Sequence, residues 1–219
     1  MIYLTFELHG EYALWRHLGD ALGAYSTPGP APSHIAGILG AAMGMPNQAS
    51  QRKSDNIAWN TSEGLLTWER ESEFRVGCRL LRSAVRVPYR VNGIKGVDEW
   101  VTLRMNQFPV ERPRYQVVIG LNSLDCAKDI LQHLQKPVFR IFLGITQFSG
   151  FIKGPMIIDE SAIEKYGWAY WSEKCIEDYT FCTLHDTRKE KRIVLNGYWI
   201  YPDPQDQRVN VSPLIKGYN

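Results

Sequence analysis

The sequence lacks the features that mark membrane, secreted and zinc-binding proteins. No apolar run approaches the roughly 18 residues of a membrane-spanning helix, and the N-terminus has no basic stretch followed by an apolar one. The four cysteines form no C-x-x-C pair, and the two nearest to each other are Cys175 and Cys182. That spacing is unlike a zinc knuckle, so we expect reduced thiols in a cytoplasmic protein.

Several catalytic motifs are also missing. The chain has no phosphate-binding Gly-Lys-Ser/Thr loop, no Gly-x-Ser-x-Gly nucleophile elbow and no His-Glu-x-x-His zinc motif. The acidic residues that could be taken for metal ligands lie in polar segments, where carboxylates are usually solvated: Asp98 and Glu99, Asp125 and Asp129, and Asp203 and Asp206. We therefore predict no metal site and no cofactor.

The positive charge is concentrated in one segment. The net charge of the whole chain is only +2. Residues 75–114 nevertheless contain nine basic and three acidic residues, so this segment carries +6 and the rest of the chain carries −4. A local basic stripe on a nearly neutral protein of ordinary composition indicates an RNA contact combined with protein contacts elsewhere.

The N-terminal region reads as a strand followed by a helix. Ile2, Leu4, Phe6 and Leu8 alternate with polar residues, which predicts a strand with one buried face. Pro32 then disfavours helical geometry at the residue before it, and Ser33 is the predicted N-cap. Four apolar residues fall on one face of the helix that follows, at positions Ile35, Ile38, Leu39 and Ala42.

The middle of the chain predicts strands with a long hairpin between them. A strand begins at Phe74, and the arm after it carries Arg82, Arg86 and Arg90 with the same parity, although a helix over 79–87 is an alternative. The tip spans 91–98 and the return arm 100–108. A buried strand over 115–121 leads to a helix capped by Asn122 or Ser123 and ended by Pro137. The apolar face of that helix comprises Leu124, Ala127, Leu131 and Leu134.

Four segments resemble one known family. They are Phe6-Glu7-Leu8-His9-Gly10 with the following Ala13-Leu14-Trp15-Arg16, the segment 25–44 with its tyrosine, Pro-Ser pair and small-residue helix, the segment 102–118, and the segment 136–148 with its Leu-Gly pair. Their order and spacing are similar to those of the Cas five family in the CRISPR-associated RAMP superfamily. The resemblance covers residues 2 to about 150.

The resemblance implies a fold, a function and partners. The fold would be α+β: a ferredoxin-like (RRM-like) RAMP domain over residues 1–158, with a β-hairpin thumb inserted at 75–114, and a small β-rich C-terminal appendage over 159–219. The function would be that of a non-catalytic crRNA-binding subunit in a CRISPR Cascade-type interference complex, capping the 5′ repeat-derived handle and anchoring the large subunit. Its partners would be the handle, an adjacent backbone RAMP subunit and the large subunit, with target DNA met only indirectly.

The predicted RNA-binding residues combine cations for phosphates with aromatic and apolar side chains for bases. They lie in the first strand-helix connection, in the hairpin and in the loop after the second helix, where glycines allow backbone N–H groups to approach phosphate. The predicted set is Arg16, Tyr25, Arg82, Arg86, Arg90, Lys95, Arg104, Met105, Phe108, Gly144, Gln147, Phe148 and Lys153.

An alternative function is metal-independent cleavage of precursor crRNA. Relatives that cleave RNA use a tyrosine from the first connection, which Tyr25 matches, and a Lys-His pair, which has no counterpart in this sequence. His17 and His34 lie near Tyr25 in the sequence and are the alternative acid-base candidates. The leading prediction assigns no catalytic residue.

Overall fold

The computed structural model describes residues 1–15, 25–45, 75–95, 101–172, 185–186, 193–194, 198–202, 204 and 215–216. The described elements are, in chain order, β1 Ile2–Gly10, β2 Tyr12–Ala13, α1 Pro32–Ala42, β3 Arg75–Leu80, β4 Val85–Arg86, β5 Tyr89–Lys95, β6 Val101–Gln107, β7 Val110–Glu111, β8 Arg114–Leu121, α2 Leu124–Gln135, β9 Gly150–Ile158, a 3-10 turn Glu160–Ala162, β10 Tyr170–Ser172, β11 His185–Asp186, β12 Ile193–Val194, β13 Tyr198–Ile200 and β14 Ile215–Lys216.

A five-stranded antiparallel sheet organises the protein. Its strand order is β14-β3-β8-β1-β9. The central strand β1 pairs with β8 on one side and β9 on the other, and its register shifts between Thr5 and Glu7 on the β9 side. In the described part of the chain, the mixed α+β class with mostly antiparallel sheets and two helices agrees with the prediction.

The core lies between one face of this sheet and both helices. Leu4, Phe6 and Leu8 of β1 are buried against apolar residues of α1 and α2, as their alternation predicts. On the opposite face, a second small cluster joins Tyr3 and Val118 to Trp168. The segment after β9 therefore covers one end of the face that the helices leave uncovered.

Helix α1 begins at Pro32, because a proline disfavours helical geometry at the residue before it. Ala31 is extended, with φ −67° and ψ 161°, and Pro32 is the first helical residue. The predicted cap at Ser33 is wrong because the helix already includes that residue. Instead, His34 Nδ1 accepts a hydrogen bond of 3.0 Å from the Ala31 backbone N–H. The apolar face predicted for this helix is confirmed as buried, at Ile35, Ile38, Leu39 and Ala42.

Helix α2 confirms its predicted cap but not its whole predicted face. Ser123 is the N-cap, and its side-chain oxygen accepts from the Cys126 N–H at 3.3 Å. Leu124 was expected on the buried face, but it is 45% exposed. Ile130 is buried in its place, because the helix turns the middle of its apolar stripe toward the sheet and leaves the first turn at the edge.

Two smaller β units surround the end of β1. One is a three-stranded sheet in the order β2-β7-β4, and the other is the antiparallel hairpin of β5 and β6, which pairs Tyr89 with Gln107 and Lys95 with Val101. The alternative helix over 79–87 is excluded, since this stretch contains the end of β3 and all of β4. The described part of the chain contains no helix long and apolar enough to cross a membrane.

The described C-terminal pieces are short strands. β10 pairs with β13, β11 pairs with β12, and β14 adds to the free side of β3 in the main sheet. Tyr201 donates its hydroxyl proton to the Pro30 carbonyl, and the Ala169 N–H donates to the Cys78 carbonyl at 2.8 Å. These bonds attach residues after 158 to the N-terminal part of the chain.

Candidate nucleic-acid interface

The connection before α1 is fixed by two buried hydroxyl side chains. Ser26 Oγ accepts from the Trp15 N–H at 2.9 Å and donates to the Thr27 carbonyl at 2.8 Å. Thr27 donates its N–H to the Trp15 carbonyl at 2.9 Å and its hydroxyl to the Gly29 carbonyl at 2.8 Å. Both residues are only 1% exposed. The backbone on the C-terminal side of Tyr25 is therefore held in one conformation.

Tyr25 stacks on Phe108 at the surface. The two ring centroids lie 4.7 Å apart and the ring planes differ by 5°. The Ser26 N–H donates to the Phe108 carbonyl at 3.1 Å, which brings the two chain segments together. Tyr25 is 53% exposed, so its stacked ring presents much of its surface to solvent. A flat, exposed π face of this kind is able to stack on a nucleic-acid base.

Arg86 joins this aromatic pair. It lies on β4, which pairs with β7 just after Phe108, and its Nε donates to the Ser26 carbonyl at 2.7 Å. Burial lowers the pKa of the Arg86 guanidinium from its ordinary value of 12.5, and the nearby Tyr25 opposes this decrease. An arginine remains charged at neutral pH. A fixed cation thus lies beside an exposed aromatic stack, an arrangement suited to one phosphate and one base.

Arg82 lies four positions before Arg86 in the sequence. It is exposed, in the bend between β3 and β4. Of the remaining predicted hairpin residues, Arg90 and Lys95 lie on β5, and Arg104 and Met105 lie on β6, where the register pairs Arg104 with Asn92 and Met105 with Val91. Arg16 lies outside the described residues.

The loop after α2 packs closely against the segment that follows β2. The Leu14 N–H donates to the Leu143 carbonyl at 3.0 Å. Gly144 has a φ of +93°, and a Cβ atom there would lie 1.9 Å from the Leu14 carbonyl oxygen. The physical requirement for glycine at this position is therefore close backbone packing. Gln147, in the same loop, is exposed.

Phe148 lies inside the protein and is only 3% exposed. Its ring contacts Tyr12 at 5.6 Å and Tyr89 at 5.2 Å between centroids. Because Tyr89 is the first residue of β5, this aromatic cluster fixes the base of the hairpin to the loop. The burial leaves the Phe148 ring little surface for a base. Sequence reasoning missed Tyr12 and Tyr89, since aromatic residues 77 positions apart give no local signal.

The described side chains of the basic segment lie in more than one region of the fold. Arg79 lies on the sheet face away from α1 and α2, where its Nε donates to Gln116 Oε1 at 2.6 Å and its guanidinium lies 5.5 Å from the Trp168 ring centroid. Arg114 donates to Glu7 Oε2 at 2.9 Å. Arg86, by contrast, lies at the surface that carries the Tyr25 stack, so basic residues that are close in the sequence are separated in the fold.

The alternative catalytic histidines have different positions. His34 uses Nδ1 to accept the Ala31 N–H, and its ring lies 5.3 Å from the Trp15 ring centroid. Loss of solvation lowers the pKa of His34 to about 4, so the imidazole is neutral at physiological pH. The structure thus makes His34 a capping residue for α1. His17 lies outside the described residues.

The described residues contain no cluster of side chains suited to binding a metal ion. No group of three or more histidine, cysteine, aspartate or glutamate side chains comes together there in a way that would hold an ion. The described cysteines, Cys78 and Cys126, are in the reduced thiol form, and burial raises the pKa of Cys78 to about 12.

The protein is similar in fold to proteins of known structure. No protein-family model matches the chain, and no curated protein matches it. A chain in a solved structure described as "CRISPR RNA-guided surveillance complex" matches with a TM-score of 0.51 and 16% identity, covering 91% of this chain and 88% of that chain. The two proteins share a fold over most of both chains.

Two further structures are less similar. One is described as "Crystal structure of Cas protein", with a TM-score of 0.48, 16% identity and coverage of 91% of this chain and 95% of that chain. The other is described as a CRISPR protein from Archaeoglobus fulgidus, with a TM-score of 0.45, 11% identity and coverage of 94% and 89%.

Proposed function

We propose that this protein is the non-catalytic crRNA-binding subunit of a CRISPR Cascade-type interference complex, of the Cas five family, and that it caps the 5′ repeat-derived handle. The observation that carries the proposal is the exposed Tyr25 ring stacked on Phe108 beside Arg86. These three residues come from separate segments, and each was a predicted RNA contact. The similarity in fold to a chain of a CRISPR RNA-guided surveillance complex supports the proposal that this protein belongs to such a complex.

The strand order supports a ferredoxin-like RAMP domain. Four strands in the order β3-β8-β1-β9, with α1 between β1 and β3 and α2 between β8 and β9, follow the βαββαβ arrangement. The β5–β6 hairpin is inserted between β3 and β8, at the position expected for a thumb. We propose residues 1–158 as this domain, with the thumb insertion at 75–114, and 159–219 as the β-rich C-terminal region.

The chemistry of the cluster fits single-stranded RNA. An unpaired base is free to stack on the outer face of Tyr25, while Arg86 and Arg82 neutralise the adjoining phosphates. The nearby hairpin, with Arg90, Lys95 and Arg104, would extend the cationic surface along the handle. Gln147 and Lys153 would contact RNA from the loop after α2 and from β9. In this proposal the base stacks on a fixed part of the fold, and most of the positive charge that faces the phosphates lies on the hairpin.

The proposed partners follow from the same role. A subunit at the foot of the complex would contact an adjacent backbone RAMP subunit and the large subunit, and it would meet target DNA only through them. The proposed location is the cytoplasm, where such complexes encounter foreign nucleic acid.

A binding and cleavage assay tests the proposal. The full chain is incubated with labelled repeat RNA in EDTA, and native and denaturing gels are run on the same samples. We expect a shifted band with intact RNA, weakened in Tyr25→Ala and unchanged in Tyr166→Ala, a control at another exposed tyrosine. Cleavage at one site, lost in Tyr25→Phe, would instead establish the endoribonuclease. Absence of any RNA binding would contradict both functions.

A further inference from the structure

The face of the main sheet opposite α1 and α2 has a covered end and an open end. At the covered end, Trp168 is buried on Tyr3 and Val118. The open end lies at the last residues of β1, where His9 pairs in register with Phe151 of β9 and with Arg114 of β8. The covering segment thus leaves this corner of the sheet accessible.

An exposed aromatic pair occupies this corner. The His9 and Phe151 ring centroids are 6.0 Å apart with a tilt of 53°, and Phe151 is 60% exposed. A phenyl ring so exposed gains little from burial within its own chain. A ligand with flat apolar faces would cover it.

Cationic side chains flank the pair. Lys153 is exposed on β9, opposite Glu7 of β1. Arg114 donates to Glu7 Oε2 at 2.9 Å, and its side chain remains 51% exposed. Lys153 and Arg114 thus bring two positive charges to this corner, and Glu7 brings one negative charge. Protein interfaces are depleted of lysine at their centres, whereas single-stranded nucleic-acid sites combine aromatic rings with cations.

The corner is connected to the Tyr25–Phe108 stack. Arg114 follows Phe108 by six positions, through β7, so these two residues are at most about 22 Å apart. Arg112 lies between them with a φ of 43°, a conformation that few arginines adopt, and its side chain is 70% exposed with Glu111 at 4.0 Å. Its N–H donates to the Glu11 carbonyl at 2.6 Å, which fixes the turn between β7 and β8.

We propose that the His9–Phe151 pair is a second contact for single-stranded RNA, on which a further base stacks while Lys153, Arg114 and Arg112 neutralise phosphates. This inference rests on the proposed function and extends it. The RNA runs from the Tyr25 stack past β7 onto the open end of the sheet. The occupant is a nucleic-acid strand, since the exposed rings lie beside Lys153 and the half-exposed Arg114.

The test measures binding of the full chain to labelled oligouridine of about 16 nucleotides, long enough to occupy both surfaces. Phe151→Ala is expected to weaken binding by about 5-fold or more, the loss of one stacked base, without changing the salt dependence. Lys153→Gln is expected to reduce the slope of log K against log salt by about 0.7. Met156→Ala is the matched control, because Met156 is a 52% exposed apolar residue of the same strand.

The outcomes separate this inference from the proposed function. If wild-type protein binds RNA, Tyr25→Ala weakens binding, and Phe151→Ala and Lys153→Gln bind like wild type, the second contact is wrong and the proposed function stands. If wild-type protein binds no RNA, both fail. If Phe151→Ala leaves RNA binding intact but weakens association with a protein subunit, this corner is a protein interface and the inference is overturned.

Discussion

Truncation of Tyr25 is the sharpest perturbation of the proposed RNA site. The Tyr25→Ala variant removes the exposed ring from Phe108 and leaves the buried Ser26 and Thr27 hydrogen bonds in place. A base stacked on an aromatic side chain is worth about 1 to 3 kcal/mol, which corresponds to an increase in Kd of about 5- to 150-fold. Tyr25→Phe keeps the ring and should remain within about 2-fold of wild type, because stacking needs no hydroxyl.

Truncation also has a cost to folding, which must be measured separately from binding. Tyr25 is 53% exposed, and its stack on Phe108 contributes about 0.5 to 1.5 kcal/mol beyond the area that the ring buries. Fluorescence anisotropy with handle RNA at fixed salt measures Kd, and urea unfolding of the same samples measures stability. Equal affinity for Tyr25→Ala and wild type, with Tyr166→Ala as the control, would refute the stacking argument.

Three further predictions, made with four substitutions, test other parts of the account. Gly144→Ala should lower the free energy of unfolding by more than about 1 kcal/mol, since the φ of Gly144 is +93°. Gly37→Ala adds a Cβ with no atom within 4 Å and should raise the free energy of unfolding by about 0.5 to 1 kcal/mol. Urea titration compares the two variants, and equal effects would contradict the packing argument. Arg86→Gln should reduce the salt slope of RNA binding by about 0.7, measured by anisotropy across a salt series, and an unchanged slope would remove Arg86 from the phosphate contacts. The pKa of His34 is about 4 in the folded protein, against an ordinary value of 6.5. The unfolded chain therefore binds more protons between these pH values, and the free energy of unfolding falls as the pH is lowered from about 6.5 to about 4. Urea titrations at several pH values should show a weaker pH dependence of this free energy for His34→Gln, and an identical pH dependence would show that His34 is not responsible.

Local patterns predicted much of the fold because their physical causes are local. Alternation in residues 2–10 and the β-branched run over 115–121 correspond to β1 and β8, and the Ser123 cap is confirmed. Pro32 placed the start of α1, but the cap assigned to Ser33 was wrong, since a histidine two residues into the helix accepts the free backbone N–H. Cap identity depends on side-chain reach, which a residue preference does not encode.

The sequence pointed to three residues of the candidate site but did not indicate that they lie together. Tyr25, Arg86 and Phe108 were each expected to contact RNA, yet their assembly depends on hydrogen bonds between segments 60 and more residues apart. Phe148 was expected at the RNA surface, and the structure buries it against Tyr12 and Tyr89. An aromatic residue in a glycine-bounded loop has the same sequence signature in either position, so only tertiary packing separates them.

Photochemical crosslinking of handle RNA tests the central claim most directly. The full chain is irradiated with 5′-handle RNA carrying thiouridine at successive positions, in EDTA, and the crosslinked peptides are identified by mass spectrometry, with RNA of scrambled sequence and equal length as the control. The account predicts intact RNA crosslinked to the peptide that contains Tyr25 or to the peptide that contains Phe108. Crosslinks found only outside these peptides, or RNA cut during the incubation, would contradict it.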